Sequence, residues 1–119
     1  MKKQVELTIK DIPDSLNRYL NYHWSKRSET KERWRLMILS EWTKQKGIKL
    51  DSPIVVTLEY YFPDNRKRDY DNYSGKVILD GLKNTFIEDD NARDCVKELK
   101  LKMFFSQPEK KTVITIKEI

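Results

Sequence analysis

Between Ile54 and Phe62 apolar side chains occupy nearly every position. Ile54, Val56, Leu58, Tyr60 and Phe62 alternate with Val55, Thr57, Glu59 and Tyr61, and Pro63 closes the run. A strand that is largely apolar on both faces belongs inside a sheet rather than at its edge. With 119 residues the chain can build one modest core, hence one sheet around this strand. A single domain over residues 1–119 is expected.

Periodicity supplies the neighbours. Val5, Leu7 and Ile9 alternate with Glu6, Thr8 and Lys10 as a half-buried strand. Residues 11–28 read as a loop in which Pro13 is followed by aromatics and bases without a clear period. Over about residues 29–46, Trp34, Met37, Ile38 and Trp42 recur at helical spacing, with Gly47 as the stop. A second helix, over about residues 72–85, places Ile78, Leu79, Leu82 and Phe86 on one face. Leu99, Leu101, Met103 and Phe105 then alternate with Glu98, Lys100 and Lys102 over 95–105, and 113–119 forms a last strand with Ile114 and Ile116 inward. The order β-α-β-α-β-β defines an α/β fold of the α+β type, with a mixed sheet of about four strands and two main helices. The last two strands are expected to form a hairpin across the turn at 107–110.

Composition narrows the chemistry. Charged residues make up 36% of the chain and the formal charge is +5, a balance compatible with a polyanionic partner. One cysteine, Cys95, forms no intramolecular disulfide, and with one histidine, His23, it cannot furnish a zinc site of nitrogen and sulfur ligands. A metal here would be held by oxygen, which favours Mg²⁺, Mn²⁺ or Ca²⁺. No run reaches transmembrane length and the N-terminus lacks an apolar signal core, so a cytoplasmic location without a membrane partner is expected.

Carboxylates crowd the stretch from Asp69 to Asp90, directly behind Arg66-Lys67-Arg68. Each piece has an ordinary explanation: Asp71-Asn72 as a helix cap, Lys76 and Asp80 as a surface pair, Glu88-Asp89-Asp90 as a solvated turn. Together they point elsewhere, because clustered acids repel unless a cation sits among them, and a basic run suits phosphate. In extended chain Asp69 and Asp71 face the same way, whereas on a helix they diverge by about 200°. The helix should therefore start after Asp71. It spans roughly 18 Å, so Asp89 and Asp90 approach Asp71 only if the chain folds back. Acids of this kind suit divalent-ion-assisted phosphodiester hydrolysis, with Lys76 to steady charge or position water.

Arg66, Lys67 and Arg68 are candidate DNA contacts, together with Arg18, Lys26, Arg27 and the helix bases Lys31, Arg33 and Arg35. Tyr19, Tyr22 and Trp24 can stack on opened bases or pack in the core. Trp34 and Trp42 read as core, His23 as non-catalytic, and Cys95 as a small apolar packing residue.

At Arg68-Asp69-Tyr70-Asp71-Asn72, Lys76, Asp80-Gly81-Leu82 and Asp89-Asp90 the chain resembles the RusA family of Holliday junction resolvases, many of them prophage-borne. The stretch from Ile12-Pro13 to Tyr22 also looks like that family's N-terminal loop. One residue more than in the best-known pattern separates Asn72 from Lys76, and the helix-to-Asp89 connection is about one shorter. The resemblance implies a homodimeric, Mg²⁺-dependent (or Mn²⁺-dependent) endodeoxyribonuclease that cuts four-way junction DNA by paired symmetric nicks in recombination and repair. Carried over by position, the catalytic residues are Asp69, Asp71, Lys76 and Asp90, and the metal ligands Asp69, Asp71 and Asp90, with Asp89 as a possible substitute and Asp80 holding Lys76. A two-fold dimer suits a junction of near two-fold symmetry, with Tyr60-Tyr61-Phe62 or Phe104-Phe105 as candidate contact surface. The rivals are a non-catalytic DNA-binding module and a nuclease preferring flaps or forks.

Overall fold

A computed structural model describes residues 2–119. Strand β1 (Gln4–Ile9) leads into a short helix α1 (Leu16–Leu20) and a long helix α2 (Trp24–Lys44). Strand β2 (Ile54–Tyr61) follows, then helix α3 (Lys76–Leu82), strand β3 (Val96–Phe104) and strand β4 (Lys111–Glu118). The sheet order is β1-β4-β2-β3; β4 runs antiparallel to both β1 and β2, and β2 runs parallel to β3. The mixed four-stranded sheet is thus as expected, and β2 is interior.

Two expectations about the sheet are corrected. β3 and β4 form no hairpin: β4 inserts between β1 and β2, and β3 takes the edge. β4 buries Thr112, Val113, Ile114 and Ile116, which an interior position rewards, whereas β3 carries the exposed Lys97, Glu98, Lys100 and Lys102, which suit an edge. The connection between them bonds to the end of β2, where Ser106 N–H donates to the Asp64 carbonyl and Gln107 N–H to that of Phe62, both at 2.9 Å. β2 is also covered on one face only. Ile54, Val56, Leu58 and Tyr60 are fully buried beneath the helices, while Val55, Thr57, Glu59 and Tyr61 stay half-buried on the open face.

The core lies between that buried sheet face and the two larger helices, which contribute Trp34 and Ile38 from α2 and Ile78 and Leu82 from α3, with Phe86 just beyond. α2 and α3 meet closely at Gly81, where a methyl group would sit 2.6 Å from Ile38 Cδ1. The segment 11–28, expected as a loop, is partly helical. Ser15 caps α1 through the Arg18 N–H, and His23 caps α2 through the Ser25 N–H at 3.3 Å, so α2 starts at Trp24 rather than near residue 29. Among the described residues no helix is long and apolar enough to cross a membrane.

Candidate functional site

The site grows out of the C-terminal end of β2. Phe62 is buried, and its ring carries the Arg68 guanidinium at 3.9 Å from the centroid. Arg68 also forks onto Asp64, with contacts of 2.6 and 3.2 Å. This fork, with a bond from the Arg66 N–H, draws the Asp64 carboxyl down to about 2. Tyr73 packs edge-on against both Tyr60 and Phe62, closing the base of the loop. Burial of the Tyr60 hydroxyl, helped by Tyr73, pushes its pKa up. A basic run met in sequence is thereby split: Arg68 is spent on holding the loop, while among the described residues Lys67 has no carboxylate within ion-pair reach.

Between this loop and the segment from Ile12 to Arg18 lies an open cleft of about 650 Å³, with Lys110 at its margin. Arg18, Arg66, Lys67 and Asp69 line it. Asn72 ties the two walls together by accepting the Asn17 N–H at 3.2 Å. Tyr22 donates to Asp14 at 2.5 Å, a bond that raises the Tyr22 pKa and pins the α1 corner.

Asp69 and Asp71 behave differently from the extended pair expected. Asp69 is extended (φ −106°, ψ 142°), but Tyr70–Tyr73 forms a 3₁₀ turn, closed by Asn72 N–H onto the Asp69 carbonyl at 3.1 Å. Asp71 therefore sits on a turn and not in a strand-like run. The second helix does begin after Asp71, yet four residues later than expected at Asn72: Gly75, at φ +87°, interrupts it and α3 starts at Lys76. Both carboxylates lack any side-chain hydrogen bond or ion pair among the described residues, and both residues are exposed.

Beyond α3 the chain does fold back. Asn84 takes a left-handed conformation (φ 62°), its N–H donates to the Ile87 carbonyl at 2.9 Å, and Lys83 bridges to Ile87. Asp90 is thereby returned to the C-terminal turn of α3, where its Oδ1 lies 3.1 Å from Lys83 Nζ. Asp80 Oδ1 is 3.9 Å from the same ammonium, and Asp80 Oδ2 is 3.9 Å from Lys31 Nζ of α2. The Asp90 carboxylate, with help from Asp80 and Asp89, raises the Lys83 pKa. Asp89 is otherwise engaged: it accepts the Asp90 N–H and the Asn91 Nδ2, each at 2.8 Å, and the Asn91 bond is the main reason its pKa falls.

Lys76 has no carboxylate within ion-pair distance among the described residues; Asp80 is held by Lys83 and Lys31, not by Lys76 as expected. Among the described residues no three His, Cys, Asp or Glu side chains come together to hold a metal ion, so Asp69, Asp71 and Asp90 do not form one closed group. In the chain α3 lies between Asp71 and Asp90, and its seven residues rise about 10 Å. The donor chemistry nonetheless fits a hard divalent ion: all donors are carboxylate oxygens, and Asp69 and Asp71 are unspent.

The remaining sequence candidates divide clearly. Tyr19 and Trp34 are core, Trp42 donates to the Ile48 carbonyl, and Cys95 is buried against Ser52. Trp24 stands 67% exposed, and Lys26 lies over the Tyr22 ring. Arg33 pairs with Asp11 and Arg35 with Glu32, whereas Arg18 and Arg27 have no such partner among the described residues. Of the apolar stretches considered for dimer contact, Tyr60 and Phe62 face the core, while Tyr61 and Phe104 stack on the open sheet face. Sequence reasoning missed Lys83; its position three residues after Asp80 was the available signal.

The cleft at the end of this interior strand thus sets Arg18, Arg66, Lys67 and Lys110 beside carboxylates of Asp14, Asp64 and Asp69, and its bases can take phosphate. The chain matches the family model described as Endodeoxyribonuclease RusA over residues 15–117, and it belongs to that family. Its class is therefore that of an endodeoxyribonuclease. No curated protein sequence matches it.

Proposed function

We propose that this chain, acting as one endonuclease domain over residues 1–119, is a Mg²⁺-dependent, structure-selective endodeoxyribonuclease that resolves four-way DNA junctions. The observation that carries the reading is the pair of unspent carboxylates, Asp69 and Asp71, beside a cleft lined by Arg18 and Lys67, in a chain of this family. Asp69, Asp71 and Asp90 would hold the ion, with Mn²⁺ as an alternative to Mg²⁺. When bound, such an ion supplies charge stabilisation at the scissile phosphate and lowers the pKa of water. Both acids of that pair have partners, Asn91 for Asp89 and Lys83 for Asp90, so Asp90 is taken as the ligand from its place in the family's pattern, with Asp89 as the substitute.

The chain's own groups do the rest. Lys67, Arg66 and Arg18 bind backbone phosphates along the cleft, and Lys76, without a carboxylate partner among the described residues, steadies negative charge developing on the phosphate. Arg68 holds the loop that presents Asp69. Paired nicks on opposite strands require two equivalent sites, which a two-fold homodimer provides.

The test compares wild type with Asp71→Asn on a labelled synthetic four-way junction and on linear duplex, with and without Mg²⁺. Paired, Mg²⁺-dependent nicks on the junction alone, lost in the variant, are expected. Binding without cutting would favour a non-catalytic DNA-binding module, and faster cutting of flaps or forks would change the substrate. Cleavage that survives Asp71→Asn would refute the site.

A further inference from the structure

Among the described residues, Asp90 is the one carboxylate of the proposed ligand set that already has a cation. Its partner, Lys83, sits at the end of α3 and is placed there by the reversal at Asn84, which carries the chain back to Lys83 through the bridge with Ile87. The ammonium lies 3.1 Å from Asp90 Oδ1 and 3.9 Å from Asp80 Oδ1. It is the cation that Asp90 and Asp80 share. Its side chain is 35% exposed, so it can leave this position for solvent by rotating. Lys31 remains on the other oxygen of Asp80 and would keep that acid partnered after Lys83 departs.

Resting on the ligand set proposed above, we infer that Lys83 is a built-in counter-ion that neutralises Asp90 in the metal-free protein and is displaced when a divalent cation binds. A doubly charged ion on Asp90 and an ammonium within salt-bridge distance of the same carboxylate repel each other. The shared acid can serve both at full strength only by turns. Lys83 thus sets the threshold concentration of divalent ion at which the site loads. By linkage, loading frees one positive charge next to the site for a DNA phosphate. Lys83 is a positioning residue in this scheme: it acts through Asp90.

The experiment uses the whole protein without DNA and titrates Mn²⁺, following the free ion by electron paramagnetic resonance. Lys83→Met is expected to bind Mn²⁺ more tightly than wild type by about three- to tenfold, the scale of removing one charge close to a surface-exposed ion. Lys83→Arg, which keeps the charge, is expected to stay near wild type. Thermal melts of each variant check that it is folded. Unchanged or weaker binding by Lys83→Met, while Asp90→Asn weakens binding, overturns the counter-ion role and leaves the ligand assignment standing. Equal tightening by Met and Arg also overturns it, because the effect would not be one of charge. If Asp90→Asn leaves Mn²⁺ affinity unchanged, Asp90 is not a ligand and both the assignment and the counter-ion role fall.

Discussion

Arg68 lies over the ring of Phe62, its guanidinium carbon 3.9 Å from the centroid, while its two terminal nitrogens reach the two carboxylate oxygens of Asp64. The side chain is only 10% exposed, unlike the 78% of Arg66. Arg68 is therefore the residue of the basic run that builds the loop. Arg68→Ala is expected to destabilise the fold by about 1–2 kcal/mol through the lost stacking and packing. Arg68→Lys should recover only a minor part, since an ammonium neither forks nor stacks. Urea denaturation of both variants checks this; a wild-type midpoint for Arg68→Ala would mean that the loop is held otherwise.

The same pair predicts a pH dependence. Asp64 is drawn from an ordinary 3.8 to about 2, chiefly by its bond from Arg68 and then by the Arg66 N–H. The folded state therefore prefers the charged form. This contribution to stability is fully present above the unfolded pKa and is lost as pH falls through the folded one. In Asp64→Asn the loss is absent. The stability gap between wild type and variant should be constant near neutrality and shrink between pH 3.8 and about 2. Urea midpoints measured over that range decide it: a gap that stays constant would show that the pair does not favour the carboxylate.

Much of the fold was legible because burial imposes period. Val5, Leu7 and Ile9, the even positions of β2, and Ile114 with Ile116 all face the core as their alternation required. Alternation reveals which face a strand buries but not which strand lies beside it, so the interior placement of β4 was hidden. The start of α2 was hidden for a different reason. Its first turns hold the exposed Trp24 and Ser25 and are capped by a histidine, a weak signal in sequence. In the site, Asp69, Asp71 and Lys76 were visible as residue types at fixed spacing. The 3₁₀ turn was not: Asn72 N–H closes it on the Asp69 carbonyl, and the Asn72 side chain also meets Asn17, 55 residues away, a contact that no local pattern reveals. The pairing of Lys83 with Asp90 was equally out of reach, since it follows from a reversal at Asn84 that no propensity demands.

Gly75 ends that 3₁₀ segment and sets the start of α3. Its φ of +87° lies where side chains are strained, and an added methyl would fall 2.3 Å from Leu58 Cδ1. Gly75→Ala should cost about 2–4 kcal/mol, from backbone strain together with overpacking. A second change, Leu58→Ala, relieves the clash but not the strain, so the double variant should show less than additive loss. Strict additivity in denaturant unfolding would mean that Leu58 is not what the methyl meets.

Lys67 offers the sharpest separation of binding from folding. It is exposed in the cleft wall without an ion-pair partner among the described residues, so removing its charge leaves the fold almost untouched. A lysine that neutralises one DNA phosphate releases about one condensed counter-ion, so its removal lowers the slope of log affinity against log salt by about 1. Lys67→Ala should therefore melt like wild type, bind junction DNA more weakly at low salt, and show a salt dependence flatter by that amount. Lys100→Ala, on the open face of the sheet, serves as the control and should leave the slope unchanged. An unaltered slope in Lys67→Ala would remove the cleft from the DNA path. A loss of slope in Lys100→Ala alone would move that path to the open sheet face.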